Sequence, residues 1–357
     1  MKKLFTLVVI ALCATSIGLA QSFWGSETKD VSLRLEGMSP DFAGLVDDEY
    51  TDFWINPADI LNVKGGRLYT NLSNYINGAE TQFGGASANE YLIGGVYSWE
   101  NIGTFGAFFR NSYAEQEVGG VTVSEDKYWA IPLFYGRQIN DALAFGLKLS
   151  YQTAETVGAD EDLIWVVPAV KYAINPELTV GAIAKVGFYS ADFGATDVDG
   201  TPWGLAVQGA YQLNDATKLR GFISYENLNI EDVDGDAWGI GVGSATKLND
   251  KLLLALGIKY GNESIDEEPV LDEKDGVLSL PVGLEYTMTD WLTFRIGATH
   301  RIATVEDEIA DTKDTNSETT YYYGAGLNIT ENLTVDVLGW KNLTELDNWR
   351  LSATVKF

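Results

Sequence analysis

Asn348-Trp349-Arg350-Leu351-Ser352-Ala353-Thr354-Val355-Lys356-Phe357 ends the chain, and the reading of this stretch decides the fold. Taken alternately, it puts Trp349, Leu351, Ala353, Val355 and Phe357 on one face and Arg350, Ser352, Thr354 and Lys356 on the other. That is a strand of period two with one apolar and one polar side. One such strand could cap a soluble sandwich. A run of them, regularly spaced, would close a barrel.

Working back, the same alternation recurs. Leu143, Phe145, Leu147, Leu149 and Tyr151 oppose Ala144, Gly146, Lys148, Ser150 and Gln152. Trp203 to Tyr211, Leu252 to Tyr260 and Leu278 to Tyr286 read likewise. Between them sit tight polar turns at Asn101-Ile102-Gly103, Asn140-Asp141, Asn175-Pro176-Glu177, Asn214-Asp215, Asn249-Asp250, Thr289-Asp290 and Thr330-Glu331-Asn332, spaced 35 to 41 residues apart. Asn and Asp suit such turns because they tolerate left-handed backbone and bond to their own main chain. The spacing fits two strands of about ten residues, one short turn and one longer loop. The loops between, such as Glu115 to Asp126, Glu155 to Asp162, Asn262 to Asp275 and Val305 to Thr319, are mostly acidic.

Seven turns flanked by two strands each, plus Gly66–Ile76 before and Asn348–Phe357 after, predict an all-β transmembrane antiparallel barrel of sixteen strands. Gly66–Ile76 is the weakest of these, which leaves fourteen as the alternative. Aromatic residues gather at strand ends: Trp129, Trp203, Trp238 and Trp349 just after long loops, and Tyr97, Trp99, Tyr135, Tyr172, Tyr211, Tyr286 and Trp291 near short turns. Two such belts are expected where a barrel meets the two membrane interfaces.

Residues 1–20 read as a signal peptide, with Lys2 and Lys3 ahead of an apolar Leu4–Ala14 run and Gly18-Leu19-Ala20 as cleavage site. Residues 21–64 form a separate acidic segment without strand alternation, and 65–357 the barrel. Of 24 basic and 51 acidic residues, removing Lys2 and Lys3 leaves 22 against 51, a mature charge of -29. That excludes nucleic acid as a partner. The expected location is the outer membrane of a Gram-negative bacterium, with membrane lipid and the barrel-assembly machinery as partners and Phe357 as assembly signal.

Charge sorted by face gives a second result. Arg110, Lys148, Lys171, Lys185, Lys218, Arg220, Lys259, Arg295, Arg301, Arg350 and Lys356 fall on polar, lumen-side positions, where the acids are Glu226, Glu285 and Asp336. The wall is therefore expected to be basic within an acidic protein. Lysines and arginines confined in a lumen repel one another and need counter-charge. Either the acidic segment packs inside as a plug, or the lumen is open and mobile anions neutralise it. Trp165, Ile183, Tyr189, Phe222, Leu253 and Trp340 fall on the same face and suit something less polar than salt.

The centre of the acidic segment reads Asp47-Asp48-Glu49-Tyr50-Thr51-Asp52-Phe53-Trp54-Ile55-Asn56-Pro57-Ala58. Aromatics followed by Asn56-Pro57-Ala58, just ahead of the first strand, resemble the N-terminal region of the long-chain fatty-acid transporter (FadL) family. The resemblance implies a hatch packed in the lumen, with Asp47, Asp48, Asp52, Asn56 and Pro57 in it. Sixteen strands depart from that family's usual fourteen, which weighs on a shared substrate more than on a shared hatch.

Catalysis has little to stand on. His300 is the only histidine and falls on the lipid-side phase, and Cys13 is lost with the signal, so the usual nucleophile–base pairs are missing. Asp232-Val233-Asp234-Gly235-Asp236 has the alternate acids of a calcium loop, but Gly243 stands where the later bidentate Glu belongs. No enzyme activity, cofactor or metal is expected. The leading expectation is an outer-membrane channel for passive diffusion of small solutes. A FadL-like transporter of hydrophobic substrates and a structural or adhesive barrel are the alternatives.

Overall fold

Period-two alternation with two partners per strand leaves no free edge only if the sheet closes on itself, and it does. The computed structural model describes residues 31–75, 86–118, 121–156, 159–192, 197–230, 233–267, 271–307, 312–339 and 348–357. The signal peptide, residues 21–30, Ile76, Asp232 and Trp340 lie outside the described residues.

The strands are β1 (Gly66–Tyr75), β2 (Ala86–Trp99), β3 (Gly103–Val118), β4 (Val121–Gln138), β5 (Leu143–Thr156) and β6 (Ala159–Ala173). There follow β7 (Leu178–Asp192), β8 (Asp197–Gly200), β9 (Trp203–Asn214), β10 (Thr217–Ile230), β11 (Val233–Asn249) and β12 (Leu252–Glu267). The last are β13 (Leu271–Thr289), β14 (Leu292–Asp307), β15 (Thr312–Thr330), β16 (Leu333–Gly339) and β17 (Asn348–Lys356). Neighbours in sequence pair antiparallel, and β1 pairs with both β2 and β17, which closes the barrel.

β8 and β9 are two pieces of one stave. Both pair with β7 and β10 in a single register, Tyr189 facing Gly200 and Val186 facing Trp203. Thr201 and Pro202 separate them, because proline has no N–H to give the ladder. The result is a closed antiparallel barrel of sixteen strands. The fourteen-strand alternative falls, since Gly66–Tyr75 is fully paired on both sides.

The short turns form as their residues suggest. The Asn140 side-chain oxygen accepts from the N–H groups of Ala142 and Leu143, and Asn175 and Asn214 do the same for the residues two and three further on. The long acidic loops need correcting. Much of Glu115 to Asp126, Glu155 to Asp162 and Val305 to Thr319 is strand, so β13 and β15 reach 19 residues rather than about ten. A tilted strand crosses the hydrocarbon in roughly 9–11 residues. The remainder stands clear of it, where both faces can be polar and alternation is lost.

Outside, Ile93, Leu133, Ile164, Leu205, Ile240, Leu256 and Ile296 are exposed, as a lipid-facing belt requires. Its edges are aromatic: Trp129–Tyr151, Trp203–Tyr225 and Trp238–Tyr260 toward the long hairpins, and Tyr97–Trp99, Trp99–Phe105 and Phe105–Tyr135 toward the short turns. His300 lies among the outward positions of β14, opposite Leu280 and beside Thr319.

Inside, residues 31–64 fill the barrel toward the short-turn end. They form helix α1 (Leu33–Glu36), a 3-10 turn (Pro40–Phe42), helix α2 (Glu49–Ile55) and a second 3-10 turn (Pro57–Asn62). Local chemistry sets each start. Asp48 caps α2 by accepting from the N–H groups of Tyr50 and Thr51, and Asn56 accepts from Ala58 ahead of which Pro57 fixes the backbone. Met38, Phe42, Leu45, Val46 and Ile55 pack on Val167, Ile183, Ala206 and Phe222 of the wall. Phe53, Trp54, Ile60 and Val63 pack on Tyr69, Leu92, Phe108 and Phe134. Burial of each such side chain is worth about 1.5–3 kcal/mol, so apolar contact supplies the adhesion.

Candidate functional site: the lumen and its hatch

The lumen-side face of the wall carries charges, and many of their partners come from the hatch. Lys171 donates to Asp59 at 2.5 Å, Arg301 makes two bonds to Asp41 at 2.9 and 3.0 Å, and Arg350 pairs with Glu36. Lys218 and Arg220 both reach Asp47, and Arg220 also donates to Asp52 at 2.5 Å. One pair runs the other way, from hatch Arg34 to wall Glu285 at 2.9 Å. Planar guanidinium groups suit these sites because they bind carboxylates through two donors at once.

Other pairs lie within the wall. Arg110 pairs with Glu90, Lys185 with Glu226, and Arg295 bridges Glu285 and Asp336. Lys185 also lies 4.5 Å from the centre of the Trp165 ring. Lys148 and Lys259 are buried on the same face. Arg110, Lys171, Lys185, Lys218, Arg220, Arg295, Arg301 and Arg350 are thus ion-paired, Lys148 and Lys259 are buried, and Glu226, Glu285 and Asp336 each meet a cation.

The expectation of few wall acids is wrong. Glu90, Glu161 and Glu263 also face inward. Glu161 and Glu263 belong to stretches read as loops, so no face was assigned to them. In the hatch, sequence singled out Asp47 and Asp52, which reach Arg220, and Asp48, which caps α2, but not Glu36, Asp41 or Asp59, which contact the wall directly. The only signal for them was acidity, shared with Glu49, which bonds Arg67 and Tyr69 at the rim.

Electrostatics divides the hatch acids. Burial pushes the Asp47 carboxyl up, but Arg220 and Lys218 outweigh it and hold it below its ordinary value. Asp52 shares the same guanidinium and goes the other way. Burial, with Asp59, Asp47 and Asp48 nearby, overcomes Arg220 and pushes it up to about 7. Both carboxylates meet Arg220, so the difference comes from the deeper burial and acidic neighbours of Asp52 and from the second cation, Lys218, beside Asp47. Burial works against the charge of Arg34 too, yet Glu285 and Asp48 raise its pKa above the ordinary guanidinium value.

Apolar wall residues form a connected strip. Trp165, Ile183 and Phe222 belong to the cluster under the hatch. Tyr189, Ala191 and Ile230 form another toward the long hairpins. Leu163 packs against both and joins them. Leu253 faces inward beside Glu285 across the β12–β13 pair.

No family model matches the chain, and no curated protein matches it. Solved structures do. The TodX deltaS2S3 mutant monoaromatic hydrocarbon channel aligns at 13% identity over 89% of this chain and 98% of that chain, with a TM-score of 0.51. A Pseudomonas aeruginosa FadL homologue aligns at 11% identity over 88% and 96%, TM-score 0.48. The CymD monoaromatic hydrocarbon channel aligns at 12% over 92% and 97%, TM-score 0.48. At such identities the likeness is one of fold. The chain shares with the TodX channel variant the fold of a closed antiparallel β-barrel.

Proposed function

We propose that the protein is an outer-membrane channel for small hydrophobic solutes, closed at the short-turn end by its own N-terminal segment. This replaces the open, passive pore as the leading reading. The observation that carries it is the division of the lumen surface. Wall cations are engaged with hatch and wall carboxylates, while Leu163 links an apolar strip from the long hairpins down to the hatch. A charged lumen already neutralised from within has little to offer mobile anions. An unbroken apolar strip offers a hydrophobic solute a path that water does not contest. Monoaromatic hydrocarbons, named for the TodX and CymD channels, are the first solutes to try.

The same reading assigns residues 1–20 to export, 21–64 to the hatch and 65–357 to the barrel. Phe357 serves as the signal to the assembly machinery of a Gram-negative outer membrane.

Two measurements, one on the purified barrel and one on cells, test the proposal. Wild type in planar bilayers should show no large, steady ion conductance, and deletion of residues 21–64 should produce one. Cells expressing wild type should take up labelled toluene faster than cells without it. Steady conductance by wild type, or unchanged toluene uptake, would overturn the reading.

A further inference from the structure

The hatch does not fill the bore evenly. Its first part follows the wall as an arc, with Met38 seated over Gly283 of β13 and Leu45 over Gly257 of β12 and Gly243 of β11. Its last part is a second arc, with Asn56 over Gly181 of β7 and Ile60 over Gly136 of β4 and Gly106 of β3. At each seat the missing side chain lets the hatch lie against the strand.

Between the arcs, α2 goes straight across. Arg220 of β10 donates to Asp52 at 2.5 Å, while Tyr50 and Phe53 pack on Tyr69 of β1. With β8 and β9 counted as one stave, seven staves separate β1 from β10 on either side, β2 to β9 one way and β11 to β17 the other. The two strands therefore face each other across the bore, and α2 spans it. Among the described residues, no wall glycine seats any part of Glu49–Ile55. Side chains alone hold α2: the Arg220 pair, the Tyr50 hydroxyl on Thr354, Glu49 on Arg67, and Trp54 edge-on to Phe108 and Phe134. Extended residues flank it at both ends, Asp48 and Asn56, and such positions absorb the backbone change when a segment pivots. The apolar strip from the long hairpins ends on α2, because Ile55 packs with Trp165, Ile183 and Phe222.

We propose that α2 is the moving part of the hatch, a bar that swings clear of the bore while both arcs keep their seats, and that the solute leaves through the gap. The proposal rests on the reading of the barrel as a channel for hydrophobic solutes and adds which segment opens it.

Paired cysteines in a Cys13→Ala background provide the test, with uptake of labelled toluene by cells as the readout. Ser39→Cys with Thr299→Cys, where the two hydroxyls lie 2.5 Å apart, and Ile60→Cys with Gly136→Cys each fasten one arc by a disulfide. Glu49→Cys with Arg67→Cys, joined by a short bis-methanethiosulfonate, fastens α2 to β1. Intact mass of the barrel purified from the same cells gives the extent of each link. With either arc fastened, uptake should equal that of the same variant reduced. With α2 fastened, uptake should fall to that of cells without the barrel, and reduction should restore it. Loss of uptake on fastening either arc, undiminished uptake with α2 fastened, or a loss that reduction does not reverse would overturn the proposal. Wild-type uptake no faster than that of cells without the barrel would instead overturn the channel reading on which it rests.

Discussion

Gly297 on β14 has no room for a side chain, because an ideal β-carbon there would lie 1.5 Å from the carbonyl oxygen of Met38. Gly146 on β5 stands in the same relation to the Ala58 nitrogen, at 2.1 Å. At both positions hatch backbone rests directly on wall backbone. These glycines permit close approach rather than a turn.

Gly297→Val and Gly146→Val should therefore displace the hatch while leaving the strands paired. Overpacking of this kind costs about 1–3 kcal/mol. The docked fraction should fall, and protease should cut within residues 31–64 faster than in wild type. Unchanged protection of that segment would mean that the hatch is held elsewhere.

Removing the Arg220 side chain leaves Asp52 buried without its main donor, a change that costs about 3–5 kcal/mol for a buried pair. Arg220→Met alone should loosen the hatch strongly. Adding Asp52→Asn should recover much of the loss. Thermal melts of the two single variants and the double variant give the coupling directly, and simple additivity would show that the two groups act independently.

Hatch docking should depend on pH through two acids of opposite behaviour. Asp52, raised to about 7, binds a proton more tightly in the docked state, so its unfavourable contribution is full above pH 7 and is relieved as pH falls toward its ordinary value. Asp47 is lowered, so its favourable contribution holds above the ordinary carboxylate pKa and is lost as pH falls below that range. Docking should be tightest on the acid side of neutrality. Asp52→Asn should flatten the alkaline limb of the proteolysis profile and leave the acid limb in place.

Phe357 lies where the barrel closes. Its main chain exchanges hydrogen bonds with Gly66 at 2.9 and 3.1 Å, and its ring stacks near Tyr97. Phe357→Ser should reduce the yield of inserted barrel in cells, read from heat-dependent gel migration of membrane fractions. The barrels that do form should keep their hatch protected, since Phe357 touches none of its ion pairs.

Strand count and facing were legible because lipid on one side and lumen on the other impose alternation, and because asparagine marks the short turns. Lys171, Arg220 and Arg350 could be placed inside on that basis alone. Their partners could not. Arg301 meets Asp41 and Arg350 meets Glu36 across 260 and 314 residues of sequence, and neighbouring acids in the hatch look alike until a fold chooses among them. The extended hairpins were hidden for a different reason. Beyond the membrane both faces of a strand meet polar surroundings, so Glu161 and Glu263 show no periodicity to read.

The seam between β1 and β17 joins the two ends of the barrel, and the hatch is the segment that runs straight into β1. A segment threaded through a sealed wall would have to enter by the mouth, tip first, past the hairpins or the turns. A segment resting against β4, β5 and β15 can instead be in place while the last stave is still open. The plug is then a former around which the cylinder is wound, seated before the seam between β1 and β17 is sealed.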